Sequence, residues 1–126
     1  MSDDIITLFS VNIACTQGQA QVLTDRIDAC MDSDDIDVWI GSYGHDWRDG
    51  ELSIESNESG QPYELGDLIA RWQKDTGYDK KVSFLFAGEQ GALVLDCGRV
   101  DVANGVLTWN YIDLREIKIG AVAAAE

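Results

Sequence analysis

The sequence predicts an α+β fold: a largely antiparallel sheet with two helices on one face, in the order β-α-β-β-α-β-β-β. Three observations carry this reading. Apolar residues alternate with polar ones in several separate runs, the mark of half-buried strands. They fall at helical spacing in only two stretches, one after Thr16 and one after Pro62. Two turn signals, Asp49-Gly50 and Asn104-Gly105, join strand-like runs into hairpins, whose strands must pair antiparallel.

The elements follow in order. Across residues 5–15, Ile5, Phe9, Val11, Ile13 and Cys15 share one face with Thr7, while Ser10 and Asn12 take the other. Thr16 and Gln19 have capping-box spacing, and Ala20, Leu23, Ile27, Cys30 and Met31 form the stripe of a helix ending near residue 31. A second strand is expected over 36–44 and a third over 51–56, with Leu52 and Ile54 inward and Glu51, Ser53 and Glu55 outward. Residues 56–62 read as a loop carrying the only proline. A second helix is expected over 63–76, with Leu65, Leu68, Ile69 and Trp72 inward and Gly77 ending it. Strands at 81–88 and 91–98 are joined by a turn, and Asn104-Gly105 leads into a strand over 106–114. Residues 115–120 extend the sheet, and 121–126 read as a frayed tail beyond a single domain of residues 1–120. The order of the first six elements resembles the split β-α-β arrangement of ferredoxin-like folds.

The charge is unusual. The 126 residues carry 23 acids and nine bases, a net of −14. Thirteen of the acids but only two of the bases fall in residues 1–60, leaving −11 there and −3 in residues 61–126. Such a surface repels nucleic acid and anionic membrane, so direct binding to either is excluded as an expectation; it suits a basic protein surface or a cation. Cys15, Cys30 and Cys97 form no CxxC pair and are expected as free thiols in a reducing cytoplasm. The start, MSDD, lacks a basic leader region, and no apolar run reaches membrane-spanning length.

The acids concentrate in DSDDID, residues 32–37, past the end of the first helix. As a calcium loop begun at Asp32 it fails where it matters. Position 6 is Asp37 rather than Gly, and position 12 is Tyr43 rather than Glu. Helix dipoles favour cations there, so local stability does not explain the cluster. His45 is the only histidine, too few for a metal phosphohydrolase, and a triad of Ser42 or a cysteine with His45 and Asp46 has no nucleophile-elbow context. No phosphate-binding glycine motif is present. Trp39, Trp72 and Trp109 are expected in the core. Trp47, near a hairpin tip, is the aromatic expected to be exposed and to anchor a partner.

Outward carboxylates on a strand recur every ~6.6–6.8 Å, close to the roughly 7 Å between successive phosphates of a nucleic-acid strand. The expected partner site is therefore Asp32, Asp34, Asp35, Asp37, Asp46, Trp47, Asp49, Glu51 and Glu55, lining one edge of the sheet. No catalytic residue, metal or cofactor is expected. The expected partner is a basic nucleic-acid-binding protein or nuclease complex. In size and charge alone the chain resembles anti-CRISPR and anti-restriction DNA mimics of phage, small inhibitors of anti-defence type. An immunity protein against a basic nuclease toxin, a metal-dependent hydrolase and an acidic housekeeping protein of a high-salt cytoplasm stay open beside this. So does a homodimer through a sheet edge.

Overall fold

The computed structural model describes residues 6–33, 40–90 and 93–113. Eight elements follow one another: β1 (Ile6–Ala14), α1 (Gln17–Met31), β2 (Gly41–Arg48), β3 (Glu51–Gly60), α2 (Pro62–Thr76), β4 (Val82–Gln90), β5 (Leu93–Ala103) and β6 (Val106–Asp113). The six strands form one sheet, ordered β2-β3-β1-β4-β5-β6, and every pair is antiparallel. β3 separates β2 from β1, and β1 separates β3 from β4. That is the split β-α-β order, with β5 and β6 added beyond β4. The α+β class and the element order are as the sequence predicts.

Local chemistry sets the boundaries. The Thr16 hydroxyl accepts from the Gln19 amide at 3.1 Å and the Gln19 side chain accepts from the Thr16 amide at 3.0 Å, so the capping box starts α1. Pro62 opens α2 at the position where its missing N–H costs nothing, and Gly77 ends it at φ 70°. Asp49-Gly50 and Asn104-Gly105 all have positive φ, which makes both hairpins type I′ and locks the pairs Arg48–Glu51 and Ala103–Val106.

One core lies between the sheet and the helices. Phe9, Val11 and Ile13 of β1 face the helices together with Leu52 and Ile54 of β3, Val82, Phe84 and Phe86 of β4, and Val100 and Val102 of β5. Ala20, Leu23 and Ile27 of α1 and Leu65, Ile69 and Trp72 of α2 close it from above. Gly66 lets α2 approach the sheet, since a Cβ there would meet Leu107 and Val100 at 2.8 Å each. Among the described residues nothing covers the other sheet face.

Several expected boundaries move. β2 is described from Gly41 to Arg48, later than expected, because the type I′ turn continues the pairing down to Arg48; residues 34–39 lie outside the described residues. β3 runs on to Gly60 through the expected loop, because Ser56 and Gly60 pair with Tyr43 and Gly41 although their side chains carry no alternation. β4 continues past Gly88 by a bulge to Gln90, and β5 extends through Ala103, burying Val100 and Val102. The expected extension at 115–120 and the tail at 121–126 lie outside the described residues.

Connectivity gives the sheet two distinct ends. The tips Asp49-Gly50 and Asn104-Gly105, the start of α1 and the end of α2 lie at one, the turn end. The end of α1 and the starts of β2, α2 and β5 lie at the other.

Candidate functional site

Residues paired across strands share a face, so the register places every outward side chain. On the open face, Arg48 lies level with Glu51 and Ala14, Asp46 with Ser53 and Asn12, and Gly44 with Glu55 and Ser10. The Ser53 hydroxyl, 3.1 Å from the Asn12 amide oxygen, bonds along the middle row. Glu51, Asp46 and Glu55 therefore descend from the turn end in successive steps of ~6.6–6.8 Å along the strands, with Asp46 displaced sideways by one strand spacing, ~4.8 Å. All three residues are exposed. Arg48 is the one base in these rows, 3.6 Å from Asp46, and both side chains are so open to water that the pair binds weakly. The strip keeps a net negative charge.

The other expected site residues do not all join this strip. Asp49 sits in the tip next to it. Asp32 is the C-cap of α1, in the helix layer and at the opposite end of the sheet, where a 15-residue helix of roughly 22 Å has carried the chain. Its carboxylate is set against the helix dipole. Asp34, Asp35 and Asp37 lie outside the described residues. Of the expected residues, Asp46, Asp49, Glu51 and Glu55 lie together on the β2–β3 ribbon, while Asp32 stands in the helix layer at the end of the sheet where β2 starts.

Trp47 corrects a second expectation. It is half-buried and packs against the core on the helix side of β2, with its indole N–H donating to the Cys15 carbonyl at 3.0 Å. Two more ring donors hold the same junction: the Tyr78 hydroxyl to Ala14 at 2.7 Å and the Trp72 indole to Gln19 at 2.9 Å. A cavity of about 410 Å³ opens there, lined by Cys15, Thr16, Gln19, Trp47 and Tyr78 among others. Burial pushes the Cys15 thiol up, so its nucleophilic thiolate is scarce at neutral pH.

His45 and Asp46 are successive strand residues and point to opposite faces, so no triad forms through that pair. His45 instead turns to the helices and lies 2.8 Å from Asp28 of α1, clipping β2 to the helix layer. Sequence spacing could not show this partner, which is brought over only by the β1-α1-β2 crossover. Among the described residues no group of three or more His, Cys, Asp and Glu is placed to hold a metal, and no helix is long and apolar enough to cross a membrane. No protein family matches this chain, and no curated protein and no solved structure matches it.

Proposed function

We propose that this protein is a small, non-catalytic inhibitor that enters the basic groove of a nucleic-acid-handling protein. Its acidic strip stands in for a stretch of phosphodiester backbone. The observation that carries this reading is the row Glu51, Asp46, Glu55. Its axial step is close to the phosphate repeat, and it sits on a rigid two-strand ribbon with one weakly paired base beside it. A preset row of charges loses little freedom on binding and steers a basic partner to it quickly. The target class that best fits is a nuclease of a host defence system, so the protein is read as an anti-CRISPR or anti-restriction factor. Its three free thiols suit a reducing cytoplasm.

The test is inhibition of DNA cleavage by purified CRISPR effectors, restriction nucleases and colicin-type toxin nucleases, with this protein titrated in at low and at high salt. Inhibition of a defence nuclease should be relieved by salt and by competing DNA. The triple variant Asp46→Lys, Glu51→Lys, Glu55→Lys should lose it while keeping its circular dichroism. Inhibition of a toxin nuclease alone would reassign the protein as an immunity factor. No inhibition anywhere, or inhibition indifferent to the triple reversal, rejects the phosphate-mimic reading.

A further inference from the structure

Asn104-Gly105 is the one Asn-Gly pair in the chain, and Asn-Gly is the dipeptide most prone to deamidation. The glycine backbone nitrogen loses its proton and attacks the side-chain carbonyl carbon of the asparagine. Ammonia leaves and a five-membered imide forms. Water then opens the imide, either to aspartate or to an isoaspartyl link that routes the main chain through the side chain. Glycine speeds the attack because no side chain shields its nitrogen.

The fold nevertheless requires this pair. Residue 104 sits at φ 53° and residue 105 at φ 76°, which suits Asn at the first position and Gly at the second. A Cβ on Gly105 would also run into the Lys74 side chain.

The attacking atom, however, is held. Asn104 is exposed, but Gly105 is buried and its N–H donates to the Gln73 side-chain oxygen at 2.8 Å. Gln73 is itself fixed, because its side-chain nitrogen donates to the Lys80 and Val102 carbonyls. To react, the Gly105 nitrogen must give up that hydrogen bond and pass through an amide anion, which burial disfavours. The other hairpin tip gives the contrast. Asp49-Gly50 makes the same turn, with positive φ at both positions. There the glycine is exposed, and among the described residues no side chain grips its amide.

We propose that Asn104 is a latent deamidation site, kept shut in the folded protein by Gln73 and exposed to modification whenever the β5–β6 tip opens. The isoaspartyl link adds a carbon to the main chain between residues 104 and 105. The two-residue turn then does not re-form, and the Gly105 amide does not return to Gln73. Refolding does not reverse the change, so the tip keeps a record of its own openings. The acidic strip has no part in this.

The test puts the same dipeptide at both tips. The Asp49→Asn variant is incubated folded at mildly alkaline pH, and peptide mass spectrometry follows deamidation at residues 49 and 104. Each rate is divided by the rate at the same residue in concentrated urea, which removes the effect of flanking sequence. Residue 104 should then be slower than residue 49 by about tenfold, the scale of a buried hydrogen bond. Adding Gln73→Leu should close most of that gap with circular dichroism retained. Adding Ile27→Ala instead, which lowers stability through the buried face of α1, should leave it. With Asp49→Asn alone, hydrogen exchange should be slower at the Gly105 amide than at the Gly50 amide. Equal normalised rates at the two tips overturn the proposal, and so does exchange at Gly105 as fast as at Gly50. A gap that outlasts Gln73→Leu in a folded protein, or that Ile27→Ala closes as well, also overturns it.

Discussion

The Trp47 indole N–H donates to the carbonyl of Cys15 at 3.0 Å, across the gap between the edge strand and the β1–α1 junction. A tryptophan flanked by Asp46 and Arg48 thus serves the interior more than the surface. Trp47→Phe keeps the packing and loses the donor. It should cost about 1 kcal/mol of stability by urea denaturation. Trp47→Ala also empties the space and should cost about 3 kcal/mol. Loss of partner binding in Trp47→Ala alone would therefore not identify a contact residue.

Gln73 is a buried amide with every polar atom engaged. Its nitrogen donates to Lys80 and Val102 carbonyls at 3.2 and 3.0 Å, and its oxygen accepts from Gly105 at 2.8 Å. Gln73→Leu keeps the bulk and orphans three backbone groups, two of them, the Val102 carbonyl and the Gly105 amide, buried. The expected loss is about 3 kcal/mol, with earliest hydrogen exchange at the Gly105 amide.

Gly98 lies under Phe86, and the Phe86 ring stacks in turn on Trp109 at 4.9 Å. A Cβ on residue 98 would stand 2.3 Å from the Asn110 carbonyl oxygen and 2.4 Å from the Phe86 ring. The backbone of β6 cannot yield as a flexible side chain would. Gly98→Ala should destabilise by about 2–3 kcal/mol in thermal or urea unfolding.

Asp101 accepts from Ser83, with Arg99 at 2.9 Å and Lys81 at 3.7 Å. The Ser83 hydrogen bond, then Arg99 and Lys81, hold its carboxyl below the usual Asp value of 3.8 against some opposing burial. A group depressed in the folded state stabilises above its unfolded pKa and loses that stability as pH falls through the folded one. The melting-temperature gap between wild type and Asp101→Asn should therefore be constant from neutral pH down to about 5. It should close below the ordinary Asp range. A gap that widens on acidification would contradict the assignment.

Short-range chemistry was legible in the sequence. Thr16 with Gln19, Gly77, and the Asp-Gly and Asn-Gly turns each act within a few residues, and each stands where the pattern puts it. The outward pair Glu51 and Glu55 was readable too, because strand alternation is local. What pairing decides was not readable. β3 continues to Gly60 only because β2 lies beside it, and nothing near Trp47 in sequence announces Cys15. Asp32 is expected near the start of β2 and lies at that end of the sheet, but its place in the helix layer as the C-cap of α1 is set by tertiary packing that spacing does not show. Gln73 looked like an ordinary polar residue of a helix, since its three partners are scattered over β5, its turn and the segment after α2.

β1 is shared between two neighbours along its length. Ile6 to Phe9 pair with β4, and Ser10 to Ala14 pair with β3. At the changeover the Ser56 hydroxyl stands in for a ladder partner, accepting from the Phe9 amide at 2.9 Å and lying 3.1 Å from its carbonyl. The β2–β3 and β5–β6 pairs are joined by two-residue turns, and β4 pairs with β5 close by in sequence, so each can begin to pair as soon as it collapses. β1 must instead find partners far along the chain, Glu51 for Ala14 and Glu89 for Ile6, and closing those loops carries the larger entropic cost. Seating β1 is therefore the step of greatest loop-closure cost, and until it is seated the β2–β3 and β4–β5–β6 parts of the sheet have no common neighbour.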